Sequence, residues 1–418
     1  MSGTAIKLSV CLITYNRARF LDRLLEDLFR TPPFGIPFEI LICDNASSDN
    51  TPDVIASWQA KQPEIRTIRQ KTNVGPEHNL ASAYRLARGE FCIYLADDDR
   101  LIPEAVTEVV RYLEANPNVA VVHSPWELYD DNEKQTLRLL YQIPEERVFD
   151  KRAAVDLFNF VLRNNVYPET CVYRTSALHR LHTVPFDIYS PFLILAHTLD
   201  YGDVAFLQRP FYRQLMRGVV PKPEEHLGVQ WIVSRRDSYA AGYEYLAQKA
   251  FRHFGIPHIP AEQVAALQKM VVAYSVGQLA NAVRLLTLTR NYRGAYEFMV
   301  RQQANGVCDE EKAAERRDFL RERASVQSLI ETFEGISILD EILLYNVGNA
   351  ANVEELAREL RPSLAIRALI PGEVGTVEHP DRKLALVRSE DDRARLIEIG
   401  FLPGLVMNEA DLNRLFEL

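Results

Sequence analysis

Three consecutive aspartates, Asp97, Asp98 and Asp99, directly follow the apolar run FCIYLA. Carboxylates crowded at the end of a buried strand repel one another, so at least one pKa should rise unless a cation is present. A hard divalent cation such as Mg²⁺ or Mn²⁺ takes one or two carboxylates and completes its shell with water and phosphate. Capping of the helix that Pro103 opens would explain one aspartate but not three. The run therefore predicts a metal site formed by these carboxylates.

Polar side chains also follow three other apolar runs in the first part of the chain. They are Thr14, Tyr15, Asn16 and Arg17 after VCLI, Asp44 and Asn45 after FEILIC, and Asn73 and Gly75 after the run at 65–69. Ligands of doubly wound sheets collect at the carboxyl ends of the strands, so these groups and the aspartates should share one crevice. Asp44 suits a base N–H or a ribose hydroxyl, although DNASSDN is also typical turn chemistry. Gly75 is either an ordinary loop residue or a point where the backbone approaches a ligand.

The elements that would position these residues alternate between strand and helix through the first 124 residues. Short β-rich apolar runs lie at 7–14, 38–43, 65–69, 90–96 and 119–124, and helical patterns lie at 18–29, from 51 onward, at 76–88 and at 103–115. Strands separated by helices favour an α/β fold, with a mostly parallel sheet and helices on both faces. No G-x-G-x-x-G follows the first strand, which disfavours a dinucleotide-binding Rossmann site.

The rest of the chain changes character twice. Residues 125–215 are less regular, residues 225–333 have a helical pattern, and residues 337–418 alternate short strands and helices again. We therefore predict three domains, at 1–224, 225–335 and 336–418, of which the last is a small α/β module. The helical region is expected to pack against the first domain or against a second subunit, which leaves a homo-oligomer open.

Composition and charge limit the class of protein. The 418 residues are 47% hydrophobic and 25% charged, which is enough for two or three globular domains. The net charge of -9 argues against a nucleic-acid partner. Five cysteines without a C-x-x-C pair predict buried thiols in a reducing compartment rather than a zinc site. No stretch has the pattern of a signal peptide or a transmembrane segment, so we expect a cytoplasmic protein, with peripheral membrane contact an open alternative.

Four motifs, taken in order, resemble the family 2 glycosyltransferases of the GT-A type. They are VCLITYNRARFL, ILICDNASSDNT, NVGPEHNLASAYRLARGE and FCIYLADDDRLIPEAV. The resemblance covers roughly the first half of the chain. It implies a GT-A type nucleotide-binding mixed sheet with flanking helices, which in this chain is followed by the helical region and the small α/β module.

The resemblance also implies roles for individual residues. These are contact along the nucleotide for Thr14, Tyr15 and Arg17, contact with the base for Asp44, and a place in the donor loop for Asn73 and Gly75. The acidic run corresponds to the D-x-D-type motif of the family, whose members contact the ribose and hold a divalent metal on the diphosphate. The triplet allows two alignments, so Asp97, Asp98 and Asp99 all carry over.

The general base is the part of the family pattern that this sequence departs from. Many members carry Glu-Asp at the start of a helix, whereas the corresponding stretch here is PFDIYSPFLILAHTLDYGD. Asp187 is the first candidate because it precedes that helix, and helix initiation explains it equally well. Glu169, in NNVYPETCVYR, is the second candidate. His123 follows a core strand and is expected to be structural.

The residues and the resemblance together predict a glycosyltransferase that uses a nucleoside diphosphate sugar, with a uridine diphosphate sugar as the expected donor. The resemblance implies that transfer proceeds with inversion. The acceptor hydroxyl would belong to a glycan, a lipid-linked sugar or a protein, with polysaccharide biosynthesis as the expected setting. A nucleotidyltransferase is one alternative, but the stretch TYNRARF lacks the glycines of its phosphate loop. A non-catalytic scaffold that binds sugar nucleotides or sugars is the other, and the missing Glu-Asp pair keeps it open.

Overall fold

The computed structural model describes residues 5–30, 34–181, 190–217, 236–253, 255–305 and 310–416. Asp187, the first candidate for the general base, lies outside the described residues. The chain divides into two compact units, one of residues 1–226 with 234–274 and the other of residues 227–233 with 275–418.

The first unit is built on an eight-stranded mixed sheet. Its strands are β1 (Leu8–Thr14), β2 (Phe38–Asp44), β3 (Ile65–Arg69), β4 (Phe91–Ala96), β6 (Val119–His123), β9 (Arg147–Phe149), β10 (Cys171–Arg174) and β11 (Asp203–Phe206), in the order β3-β2-β1-β4-β10-β6-β11-β9. Strands β1 to β4 are parallel, whereas β10 runs antiparallel between β4 and β6. The carboxyl ends of four neighbouring parallel strands therefore lie at one edge of the sheet.

A second sheet of four short strands belongs to the same unit. Its strands are β5 (Arg100–Leu101), β7 (Glu127–Asp130), β8 (Gln135–Leu139) and β12 (Tyr212–Arg217), in the order β5-β12-β7-β8. Strand β5 begins immediately after Asp99. It pairs antiparallel with β12, and Tyr212 lies opposite Leu101. The second sheet thus fixes the chain just beyond the acidic run.

Helices alternate with the strands of the first unit, as the sequence pattern predicts. In the first unit they are α1 (Ala18–Phe29), α2 (Thr51–Gln59), α3 (Pro76–Leu86), α4 (Pro103–Ala115), α5 (Ala154–Arg163), α6 (Thr175–Arg180), α7 (Ser190–Thr198) and α8 (Arg236–His253). The long helix α9 (Ala261–Leu288) carries the boundary between the units. In α1 the buried side chains recur at helical spacing, at Leu21, Leu24, Leu25 and Leu28, which packs one face of the helix into the core.

The second unit has its own helices and its own sheet. Helices α10 (Tyr292–Ala304) and α11 (Glu310–Glu334) precede strands β13 (Glu341–Tyr345), β14 (Ile366–Leu369), β15 (Lys383–Val387) and β16 (Val406–Asn408), with helices α12 (Ala350–Leu360), α13 (Glu390–Glu398) and α14 (Glu409–Arg414) between and after them. The four strands are all parallel, in the order β14-β13-β15-β16. The predicted small α/β module is therefore confirmed as a fold.

The predicted mixed α/β fold with flanking helices is likewise confirmed, but the boundaries between domains are drawn differently from the predicted ones at 224 and 335. Helix α8 and the first half of α9 group with the first unit, because α8 packs on α5 and α7. Residues 275–335 group with the C-terminal module. The four described cysteines are free and buried, as expected. In the described ranges no helix is long and apolar enough to cross a bilayer.

Candidate functional site

The ends of β1, β2 and β4 bring four of the predicted site residues together. Thr14, the last residue of β1, lies opposite Asp44, the last residue of β2. The Thr14 hydroxyl donates to Oδ2 of Asp97, directly after β4, at 2.9 Å. The backbone N–H of Asn45 donates to the Thr14 carbonyl at 2.9 Å. The parallel register thus gathers Thr14, Asp44, Asn45 and Asp97 in one place.

Arg17 bridges two of the three aspartates. Its Nε donates to Oδ1 of Asp97 at 2.7 Å, and its Nη2 lies 2.9 Å from Oδ2 of Asp98. The guanidinium also lies over the ring of Phe20, with 4.2 Å from Cζ to the ring centroid. Burial raises the pKa of Asp97 to about 7 against the opposing effect of Arg17, and the charge of Asp98 adds to the rise. This cluster holds more negative charge than one guanidinium neutralises.

Asp99 turns to different partners, which belong to the second sheet. The hydroxyl of Tyr212 donates to its Oδ2 at 2.8 Å, and the backbone N–H of Leu215 donates to its Oδ1 at 2.9 Å. None of the three aspartates caps α4, whose N-cap residue is Ile102, with no side-chain capping bond. The carboxylates of the predicted metal site therefore face two sets of partners, and the described residues contain no group of three or more His, Cys, Asp or Glu side chains arranged around one ion.

Asp44 has one carboxylate oxygen engaged and one without a donor. Its Oδ1 accepts from the backbone N–H of Ser47 at 3.0 Å. Its Oδ2 is buried and has no hydrogen-bond donor within the described part of the chain, although Arg69 Nε lies 3.5 Å away. A buried carboxylate oxygen in this state is costly unless a ligand donates to it.

The loop after β3 is tied to the end of β2 by side-chain amides. Asn45 Nδ2 donates to Oδ1 of Asn73 at 2.8 Å, and Asn45 Oδ1 accepts from the N–H of Val74 at 2.9 Å. The N–H of Gly75 donates to Asn73 Oδ1 at 2.9 Å. Gly75, the N-cap residue of α3, has φ of 83°, a conformation in which a side chain is strained. Asn45, Asn73 and Gly75 therefore form one rigid corner of the site.

The turn after β1 exposes an aromatic ring. Asn16 has φ of 53°, and its Oδ1 accepts from the N–H of Ser48 at 2.7 Å, so the two strand-end loops are joined. Tyr15, just before it, is 42% exposed. A tyrosine ring in such a position offers a face for stacking.

Glu169 lies on the same side of the molecule, two residues before β10. Because β10 runs antiparallel to β4, its beginning lies beside the end of β4, where the aspartates follow. Burial raises the pKa of Glu169 to about 7, a hydrogen bond from Tyr239 opposes the rise, and the charge of Asp99 adds to it. Burial raises the pKa of the Tyr94 phenol. Four nearby carboxylates raise it further, those of Asp97, Asp99, Asp98 and Glu169.

Several site residues could not be found from the sequence. Tyr212 and the Leu215 amide come from a short strand without clear alternation, and Tyr239 comes from the helical stretch RDSYAAGYEYL. His123, by contrast, is buried, stacks on Phe206 with ring centroids 5.1 Å apart, and has a pKa that burial lowers to about 3. A neutral, buried imidazole is in line with the structural role expected for it.

Comparison with known proteins identifies a family model that this chain matches. Residues 9–181 match the model of the family described as glycosyl transferase family 2. An abequosyltransferase (RfbV) of Salmonella typhimurium is 32% identical over 113 residues, which are 27% of this chain and 34% of that protein. An uncharacterized protein of Mycobacterium tuberculosis is 27% identical over 220 residues, which are 51% of this chain and 60% of that protein. The chain thus spans less than two thirds of the length of these relatives.

Solved structures provide a more distant likeness. TarS of S. aureus in complex with UDP-GlcNAc is 16% identical with a TM-score of 0.41, over 72% of this chain and 89% of that one. The mannosyltransferase PcManGT of Pyrobaculum calidifontis, in complex with GDP-Man and Mn²⁺, is 17% identical with a TM-score of 0.42, over 75% of this chain and 78% of that one.

Proposed function

Because residues 9–181 form a domain of glycosyl transferase family 2, as the sequence motifs indicate, we propose that this chain transfers a sugar from a nucleoside diphosphate sugar to an acceptor hydroxyl. One observation carries the proposal. The buried Oδ2 of Asp44, which accepts no hydrogen bond from the described residues and lies 3.5 Å from Arg69 Nε, is at the same strand edge as the aspartates bridged by Arg17. A nucleotide has groups that suit both places. Its base N–H or ribose hydroxyl can donate to Asp44, and its diphosphate can bind a cation held by the carboxylates.

The nucleoside half of the donor would lie between Tyr15 and Asp44. The exposed ring of Tyr15 would stack on the base, and the corner of Asn45, Asn73 and Gly75 would bound the pocket without moving, since its amides already bond one another. Thr14 holds Asp97 in place from the neighbouring strand. This arrangement favours no particular base, and a uridine donor remains our first proposal.

The acidic run fits a divalent metal in its chemistry. Mg²⁺ and Mn²⁺ prefer carboxylate oxygens and take only one or two of them when a diphosphate and water fill the rest of the shell. Asp97, Asp98 and Asp99 are the candidates for those one or two ligands. A cation there would offset the charge of Asp98, which adds to the rise that burial causes in the pKa of Asp97. When bound, such an ion stabilises the charge that develops on the departing nucleoside diphosphate.

Glu169 would be the general base among the described residues. In a single displacement the acceptor oxygen bonds to the anomeric carbon, the bond from that carbon to the diphosphate oxygen breaks, and the acceptor proton passes to the carboxylate. The sugar is then delivered with inversion. A carboxyl group with a pKa near 7 exchanges protons efficiently at neutral pH. Asp187 remains the competing candidate.

A panel of nucleoside diphosphate sugars, tested by thermal unfolding with and without Mg²⁺ or Mn²⁺, would examine the proposal. We expect one donor to raise the melting temperature only with metal, by an amount that corresponds to about 2.7 kcal/mol at a hundredfold excess over Kd. Asp98→Asn and Asp99→Asn should abolish either the metal dependence of the donor-induced shift or the binding of the donor. Asp131→Asn, a matched change at a carboxylate paired with Lys134 in the turn after β7, should leave both intact. A chain that binds no donor under any of these conditions would contradict the proposal.

A further inference from the structure

We propose that Tyr239, on helix α8, is a positioning residue for Glu169, whose carboxylate it holds in the orientation that accepts the proton of the acceptor. This inference rests on the proposed function, because it takes Glu169 as the general base. It also extends the active site beyond the family match at 9–181 to a helix near the end of the first unit.

The contact itself is a hydrogen bond from a buried phenol to a half-buried carboxylate. The hydroxyl of Tyr239 donates to the carboxylate of Glu169, and Tyr239 is only 8% exposed. Tyr167, two residues before Glu169, packs edge-on against Tyr239, with ring centroids 6.4 Å apart and an interplanar angle of 67°. Helix α8 therefore holds both the side chain of Glu169 and the loop that carries it.

Glu169 needs such support because of where it lies in the chain. It belongs to the loop between α5 and β10, outside any strand ladder, and Asn165 in that loop has φ of 48°. A glutamate side chain loses much of its rotamer entropy when it is fixed in one orientation. A donor that fixes the carboxylate in the resting protein pays this cost before the acceptor arrives.

The position of Tyr239 is in turn set by close packing of α8. One turn along the same helix face, Tyr243 packs on Phe192 of α7 with ring centroids 4.3 Å apart. At Gly242 a Cβ atom would lie 2.9 Å from Cδ2 of Phe192, so the helix approaches α7 as closely as glycine permits. The register of α8 is therefore fixed, and the Tyr239 hydroxyl reaches Glu169 from a rigid support.

The experiment compares Tyr239→Phe with Tyr245→Phe, since both remove one hydroxyl from α8. Tyr245 bonds Nε2 of His197 at 2.6 Å and makes the matched control. Turnover of the donor that gives the largest thermal shift in the panel above would be followed as release of nucleoside diphosphate, with water as the acceptor. We expect Tyr239→Phe to lower kcat about tenfold with the donor KM unchanged, and Tyr245→Phe to change neither.

A double-mutant cycle with Glu169→Gln separates positioning from general damage. If Tyr239 acts through Glu169, then Tyr239→Phe should lower kcat no further in the Glu169→Gln background. Equal losses in both backgrounds, or a wild-type kcat in Tyr239→Phe, would overturn the inference while the proposed function stands. A wild-type kcat in Glu169→Gln would remove the base assignment, and with it both the inference and that part of the proposed mechanism. Melting temperatures of all variants would show whether each is folded.

Discussion

At the scale of single residues, burial decides the chemistry more than residue type does. His123 ends β6 inside the core, and neither of its ring nitrogens has a hydrogen-bond partner within the described residues. Nothing there stabilises a charged imidazole, so burial lowers its pKa to about 3 from the usual 6.5. The protonated form is therefore available to the unfolded chain but not to the folded one until strongly acidic pH.

This difference predicts acid sensitivity that depends on one residue. Below pH 6.5 the unfolded chain binds a proton that the folded chain does not, so stability is complete above pH 6.5 and falls as the pH drops toward 3. The slope due to this group is at most about 1.4 kcal/mol per pH unit. His123→Gln should flatten the dependence of the unfolding free energy on pH over that range, as measured by urea titration. The same change at exposed His258 should not, and equal slopes for wild type and His123→Gln would contradict the prediction.

The same scale shows which site residues the sequence could reveal. Thr14, Asp44, Asn73 and Asp97 follow apolar runs, and the parallel register of neighbouring strands makes such positions meet. The pairing of Arg17 with two aspartates could not be predicted, because a long side chain chooses among many rotamers according to its final surroundings. Tyr212 could not be found either, since its bond to Asp99 joins residues 113 positions apart. Only the folded chain brings those residues into contact.

At the scale of elements, the central strands of the first sheet are predictable because β1, β2, β4 and β6 are buried along most of their length. Helices α1 and α4 have the predicted limits, and strands β1 to β4 differ from prediction by one residue at most at either end. The second sheet was not predicted. Strand β8 is almost wholly exposed and β5 has two residues, so neither carries an apolar period that separates it from a loop. Yet this sheet holds Asp99, and so it completes the site.

Close approach of β1 and β4 gives a prediction at this scale. A Cβ atom at Gly89, just before β4, would lie 2.5 Å from the Ser9 nitrogen and 2.7 Å from the Leu8 carbonyl carbon. Both are backbone atoms of a central strand that cannot move aside, so Gly89→Ala should destabilise the first unit by about 1–3 kcal/mol. Chemical denaturation would measure the loss. Gly35→Ala, where a Cβ atom meets nothing within 4 Å, is the matched control. If Gly89→Ala were as stable as that control, the close approach of these strands would be wrong.

At the scale of the whole molecule, each of the two units has its own apolar core. The largest core cluster lies in the first unit and includes Leu12, Ile42 and Ile93 around the central strands. The second unit has separate clusters, one of which joins Leu329 of α11 to Leu344 of β13. All residues proposed to bind donor or accept the proton belong to the first unit, so the donor response should depend on its core alone.

Two matched core truncations test this division. Leu12→Ala in β1 and Leu344→Ala in β13 each remove a side chain that is at most 1% exposed, and each should cost its unit about 2–5 kcal/mol. Calorimetry of the full chain, with and without metal and the donor found in the panel, would follow both changes. Leu344→Ala should lower the stability of the second unit and leave the donor-induced shift at its wild-type size. Leu12→Ala should lower the melting temperature of the unit that responds to donor, because β1 carries Thr14 and ends at the site. A donor response lost in Leu344→Ala would mean that the two cores unfold as one, and that the site depends on residues of the second unit.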